Sequence, residues 1–212
     1  SSVAIGNIAK ASANFSIAIG ENTNATQNYS VAIGYQSSAN GNYSVAIGSY
    51  STIAKGANST AIGPASIAEN TDAIAVGKQA KGVRSVAVGL HTNSNSEYSF
   101  SFGFSLEAST YKSFVIGFDN PTKIGQSTTA WIPTDDLFVV GNGGATIGSK
   151  SEALNIKKNG HATLPSVNDT MIDTDIKSVI TKEYLDIRIP KPPTTGNFVL
   201  KSVDGLVSWV TN

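Results

Sequence analysis

Ser30-Val31-Ala32-Ile33-Gly34, followed fourteen residues later by Ser44-Val45-Ala46-Ile47-Gly48, decides how this chain folds. The same phrase stands earlier as Ser2-Val3-Ala4-Ile5-Gly6 and Ser16-Ile17-Ala18-Ile19-Gly20, and it recurs with drift up to Ser113-Phe114-Val115-Ile116-Gly117. The closing glycines fall at 6, 20, 34, 48, 63, 77, 89, 103 and 117, a step of 14 with single departures of 15 and 12. A fixed interval of this size belongs to a solenoid, in which each coil packs on its neighbours, and not to a globular core.

Within the phrase, apolar and small residues alternate with period two, as a pleated strand requires. A second, weaker strand is expected about five positions after each glycine, at the small residues Ala11, Ala25, Ala39, Ala68, Gly82, Ser94 and Ala108. Two short strands and two turns then fill each coil, with turn chemistry in Asn14-Phe15-Ser16, Asn28-Tyr29-Ser30 and Asn42-Tyr43-Ser44. So thin a coil has an interior suited to Ala, Ser and Gly, which leaves the large aliphatic residues outside. They form a stripe of Val3, Ile5, Ile17, Ile19, Val31, Ile33, Val45, Ile47, Ile62, Ile74, Val76, Val86, Val88, Phe100, Phe102, Phe114 and Ile116. Burying each such side chain is worth about 1.5 to 3 kcal/mol, and the stripe far exceeds the few hundred Å² of apolar patch that a monomer tolerates. The opposite arrangement, with Val and Ile inside and Ala outside, would give a monomeric solenoid, but a short coil leaves little room for paired Ile and Phe layers. No long amphipathic helix is available to cover the stripe, so other copies of the same chain around a shared axis are the economical cover.

The phrase at 14-residue spacing resembles the YadA-like head repeats of trimeric autotransporter adhesins, over residues 2 to about 118. The resemblance implies a trimeric left-handed parallel β-roll with the apolar positions on the threefold axis, which makes the stripe a trimer interface and the molecule adhesive. In the later copies Phe100, Phe102 and Phe114 replace Val and Ile, which would widen the axis toward that end.

The fold class expected for the whole chain is all-β: the roll over 1–118, an insertion and β-hairpin region over 119–165, a neck helix over 166–190, and a Pro-rich linker with a C-terminal β-hairpin over 191–212. After Gly117 the next similar phrase is Leu137-Phe138-Val139-Val140-Gly141, reached through an insertion that contains Pro121, Trp131 and Pro133. An added loop maps to the outside of a solenoid and is a candidate receptor contact. Strands are expected at Ala145 to Ile147 and Ala153 to Lys157. Apolar residues then recur at three and four through Ile176, Val179, Ile180, Tyr184 and Ile187, a short amphipathic helix whose Ile176 and Ile180 would face sister helices. Asp204-Gly205 between alternating apolar runs is a hairpin signal. Ser178 to Asp186 and Thr194 to Trp209 resemble segments of phage tail fibres.

Lys plus Arg equals Asp plus Glu at 15 each, so no basic field exists for nucleic acid or anionic lipid, and no apolar run is long enough for membrane insertion. The chain opens in mid-phrase and its only Met is Met171, so it reads as a piece of something longer. There is no cysteine; His91 and His161 stand far apart; carboxylates are sparse, with Asp135-Asp136 the only adjacent pair. These residues give no catalytic, cofactor or metal constellation. A regular Thr ladder of the ice-binding kind is also missing. The reading is a non-enzymatic, extracellular, homotrimeric fibre that binds a cell-surface glycan or protein, with Tyr35, Tyr50, His91 and Trp131 as candidate contacts. The first choice of setting is a phage tail fibre or injection-device fibre attached to other fibre or baseplate proteins. The alternatives are a trimeric adhesin of the bacterial cell surface and a glycan-degrading tailspike.

Overall fold

The computed structural model describes residues 1–144 and 148–166, and the strands within 198–211. Two compact units divide the chain, Ser1–Ser166 and Val167–Asn212. The first is a β-roll of two parallel sheets. Sheet A takes the phrase strands β1 (Val3–Ile5), β3 (Ile17–Ile19), β5 (Val31–Gly34), β7 (Val45–Gly48), β9 (Thr60–Ile62), β11 (Ile74–Val76), β13 (Val86–Val88), β15 (Phe100–Phe104) and β17 (Phe114–Phe118). Sheet B takes the two-residue strands β2 (Lys10–Ala11), β4 (Asn24–Ala25), β6 (Ser38–Ala39), β8 (Ile53–Ala54), β10 (Ile67–Ala68), β12 (Gln79–Ala80), β14 (Asn93–Ser94) and β16 (Glu107–Ala108). Each strand pairs in register with the equivalent one a coil away, Val31 with Val45 and Ala25 with Ala39 for example. At about 4.8 Å per rung, sheet A alone is a rod of roughly 40 Å.

The interior is alanine and hydroxyl. Ala18, Ala32, Ala46, Ala61, Ala75 and Ala87 from sheet A face Ala25, Ala39, Ala54, Ala68 and Ala80 from sheet B, all at zero exposure. In several phrases the opening serine is buried with its hydroxyl donating to the carbonyl three residues earlier: Ser16 to Ala13 at 2.7 Å, Ser30 to Gln27 at 2.6 Å, Ser99 to Ser96 at 2.7 Å. A hydroxyl on the other side ties successive coils together, Ser37 donating to Gly48, Thr52 to Gly63 and Thr92 to Gly103 at 2.6 to 2.9 Å. These bonds satisfy polar groups in an interior that water does not reach.

The glycine that ends the phrase is fixed by two constraints. At Gly34 φ is +121°, and an added Cβ would stand 1.8 Å from the carbonyl oxygen of Gly48. Both departures from the 14-residue step fall in the turn that follows this glycine. The long step places Tyr50 and Ser51 together in the left-handed region, and the short one leaves only Gly77 and Lys78 between β11 and β12. The turn that leads back into sheet A keeps five residues in every coil. The shortened coil corrects one expectation: Ala80, not Gly82, is the small residue of the second strand there, and Gly82 lies in the returning turn.

The parallel stack ends in an antiparallel closure. β18 (Asp136–Asn142) is the next rung on β17, Phe138 opposite Phe114 and Gly141 opposite Gly117. β19 (Glu152–Lys157) then pairs antiparallel with β18, and β20 (Ala162–Thr163) with β19. The expected strand at Ala145 to Ile147 lies outside the described residues, and Glu152–Lys157 finds its partners in β18 and β20 instead. Sheet B ends differently. The Asn120 amide takes the place of a ninth strand, accepting from the Glu107 N–H at 2.8 Å and donating to its carbonyl at 3.1 Å, and so closes a strand edge open to wrong pairing. The insertion is not a free outward loop: Ser127 and Thr128 present carbonyls to the Tyr111 and Glu97 N–H groups and lie along the returning turns.

In the second unit β21 (Phe198–Val203) and β22 (Leu206–Thr211) pair antiparallel, from Phe198 opposite Thr211 to Val203 opposite Leu206. The expected neck helix, with Ile176 and Ile180, lies outside the described residues. Among those that are described there is no helix long and apolar enough to cross a membrane.

Candidate functional site

Alternation along each phrase sends Ala inward and its two neighbours outward, so the outer face of sheet A carries two columns. One runs Val3, Ile17, Val31, Val45, Thr60, Ile74, Val86, Phe100, Phe114; the other Ile5, Ile19, Ile33, Ile47, Ile62, Val76, Val88, Phe102, Ile116. Every stripe residue of the roll named from the sequence lies on this face. Stacking on the rungs above and below covers them only in part: Val3 is 45% exposed, Ile47 38%, Ile62 40%, Phe102 54%. Phe138 and Val140 extend both columns by one rung, which the Leu137 to Gly141 phrase signalled although its side chains were left out of the stripe. Thr60 interrupts the first column with a hydroxyl; its signal was the departure from Val or Ile in Ser59-Thr60-Ala61-Ile62.

The outer face of sheet B contrasts with this. Its outward residues are Lys10, Asn24, Ser38, Ile53, Ile67, Gln79, Asn93 and Glu107, and the two isoleucines are half-buried. One face of the roll is therefore aliphatic and the other mainly polar.

The two edges carry a feature that sequence reasoning missed. In the returning turn one residue per coil adopts left-handed φ: Phe15, Tyr29, Tyr43, Asn58, Asp72, Arg84, Tyr98, Lys112. Residues other than glycine reach this region at about 1 to 2 kcal/mol each, and here their side chains stack into a ladder. The Phe15, Tyr29 and Tyr43 rings lie 5.1 and 4.9 Å apart and nearly parallel. Asn58 donates to Asp72 at 3.0 Å, Arg84 bonds Asp72 at 3.3 Å and Tyr98 at 2.6 Å, and Lys112 sits over Tyr98. The recurring Asn-aromatic-Ser triplets were the signal for the first three rungs.

The four candidate receptor residues are not brought together. Tyr35, Tyr50 and His91 stand on the other edge, in the turn after the glycine; Tyr35 and Tyr50 meet edge to face at 6.1 Å, and the His91 ring meets Phe104 at 6.0 Å. Trp131 is in the insertion, over the Lys158 ammonium at 5.3 Å.

The carboxylates gather at the closing end, and each has a structural partner. Asp136, 1% exposed, receives Lys157 and lies 3.7 Å from Lys123, which also bonds Glu152 at 2.7 Å. Burial pushes the Asp136 carboxyl up, but the Lys157 and Asn155 hydrogen bonds and the Lys123 charge outweigh it and hold the group below its ordinary value. Asp135 points the other way, accepting from the Ser127 N–H at 2.9 Å with Lys158 at 3.9 Å. Burial lowers the Lys158 ammonium against the raising effect of the two aspartates. Both carboxylates of the pair are thus tied into the closing end of the roll. Among the described residues no group of three or more His, Cys, Asp or Glu is placed to hold a metal ion.

The family model described as the YadA head domain repeat (2 copies) matches residues 1–23, 25–51, 54–80 and 80–105, together just under half of the chain. Each matched segment spans about two coils of the roll, so the similarity to YadA head repeats falls on the coils themselves. No curated protein matches the chain.

Proposed function

We propose that this chain, built in its first half of YadA-like head repeats, is the head of a homotrimeric adhesin displayed on a bacterial surface. The observation that carries the reading is the aliphatic face of sheet A, two columns wide along the whole roll and open in the isolated chain. Its extent exceeds the apolar patch that a soluble monomer exposes, and its rung-by-rung regularity suits sister copies held parallel about one axis.

The repeat match supports the bacterial adhesin over the tail fibre, because it falls in the coils, whereas the tail-fibre resemblances at 178–186 and 194–209 have no match behind them. A tailspike that cuts glycan has less support, since the buried carboxylates are held by lysines and backbone. Binding without chemistry is the reading these contacts favour. Threefold display presents each receptor contact three times at high local concentration, so a weak single contact suffices.

Light scattering tests the assembly, with a solution mass of three times 22.0 kDa expected. Adhesion is tested by presenting the trimer on beads to arrays of immobilised glycans and extracellular matrix proteins. Retention that disappears with a monomeric variant supports the reading, a stable monomer rejects it, and oligosaccharide release from the array would replace it with the tailspike.

A further inference from the structure

Resting on the threefold assembly proposed above, we infer that the two turn edges of the roll meet across each subunit boundary. The Phe15, Tyr29 and Tyr43 ladder of one protomer packs against the Ile8, Tyr35 and Tyr50 row of the next. The polar outer face of sheet B is then the surface left for a receptor.

Symmetry supplies the first step. In a ring of parallel rolls, each protomer's leading edge faces its neighbour's trailing edge at the same height, so unlike edges meet and like edges never do. Dimensions supply the second. Sheets pack about 10 Å apart, which places each sheet A about 5 Å from the axis and makes the enclosing triangle about 17 Å on a side. Three strand residues with one turn residue at each end span about 17 Å at roughly 3.4 Å per residue, so the turns reach the corners where neighbours touch.

The distribution of apolar surface supplies the third. Phe15, Tyr29 and Tyr43 are 55%, 47% and 59% exposed on one edge, and Ile8, Tyr35 and Tyr50 are 59%, 41% and 69% exposed on the other. Both rows lie in the same first four coils, flanking the phrases that close at Gly6, Gly20, Gly34 and Gly48. The two rows flank the aliphatic columns, with the exposed Glu21 and Asn22 standing between Ile8 and Tyr35. Farther along, Asn58, Asp72 and Arg84 on the returning edge bond one another instead.

Ring geometry supplies the fourth. Interplanar angles of 11° and 2° mean that the ladder's ring faces cover each other. A sugar stacks on an open ring face, and this ladder offers mainly edges. Ring edges against a wall of side chains make edge-to-face packing, which fits a protein neighbour better than a glycan.

The chain has no cysteine, which makes the test direct. Tyr43→Cys and Tyr50→Cys in one chain place thiols on opposite edges of a single coil, too far apart to pair within a protomer. Mild oxidation is expected to give covalent dimers and trimers on a non-reducing denaturing gel. Each single variant, and Asn24→Cys on sheet B, should run as monomer. Light scattering of the same samples before denaturation separates the two claims: a trimer without cross-links overturns the edge pairing and leaves the assembly standing, whereas a monomer overturns both. If circular dichroism shows the first pair unfolded, Ile8→Cys with Phe15→Cys poses the same question one end of the row away, and absence of cross-links in a trimer of that pair overturns the inference equally.

Discussion

Replacing Ile33 with Asp separates the two faces of the roll. Ile33 lies half-buried in the second column between Ile19 and Ile47, somewhat less open than Ile47 and Ile62, which keep 38% and 40% of their surface exposed. Full burial of an isoleucine is worth about 1.5 to 3 kcal/mol, so an open third at most leaves up to about 0.5 to 1 kcal/mol per side chain, or about 1.5 to 3 kcal/mol for a layer of three. A carboxylate in the same layer costs roughly several kcal/mol each through desolvation and faces two like charges. Charge, more than lost packing, therefore decides the outcome. Ile33→Ala should keep the trimer with a modest fall in its dissociation temperature, whereas Ile33→Asp should yield monomer at micromolar concentration and pH 8. Burial raises the pKa of such a carboxyl, so assembly should recover as pH falls through the raised value, visible by pH 5. Ser38→Asp, on the outer face of sheet B in the same coil, should match the parent at both pH values. Light scattering and sedimentation over a concentration series read all four proteins, and equal behaviour of Ile33→Asp and Ser38→Asp would refute the assignment of faces.

Gly34→Ala should destabilise the roll by about 3 kcal/mol or more in denaturant titration, because the new Cβ meets a backbone carbonyl and φ is strained together; Gly125→Ala, also at positive φ but with nothing within 4 Å, should cost only about 1 to 2 kcal/mol. Asn120→Ala strips the cap from sheet B, with an expected loss of about 1 to 3 kcal/mol and faster hydrogen exchange at the Glu107 amide. The depressed Asp136 pKa means that its contribution to stability is complete above its unfolded value of 3.8 and is lost as pH falls below that value through the folded one. Amide protection in peptides spanning Asp136 to Lys157 should accordingly hold down to about pH 4 and drop below it, and unchanged protection at about pH 2 would count against the Lys157 and Lys123 pairing.

The roll and its outward face were legible because the sequence repeats an alternation whose two sets of side chains differ in volume. A coil two strands deep admits Ala32 and Ala39 but not Ile33, so size alone chose the inner face. What was not legible depended on contacts across the 14-residue step. A tyrosine in the left-handed region looks unfavourable in a single turn; it becomes acceptable when Tyr29 and Tyr43 stack on the rungs beside it. The shortened coil misled for a related reason: Gly82 is as small as Ala80, and only the register with Ser94 shows which of them occupies the strand. Asn120 could not be read at all, since a side-chain amide that imitates a strand is known only by what it touches.

The composition of the interior ties the proposed assembly to the stability of the fold. Alanine and serine bury little apolar surface per residue, and the left-handed turn residues add backbone strain in nearly every coil. The side chains able to offset those costs, the valines, isoleucines and phenylalanines, are the ones directed out of sheet A. An isolated roll is therefore held chiefly by its hydrogen-bond ladders and keeps its largest hydrophobic reserve unused. In the proposed trimer, sister copies on sheet A would convert that reserve into stability without altering a single coil. The polar face of sheet B is then free to vary from coil to coil, as the run from Lys10 to Glu107 does, at no cost to the proposed trimer axis.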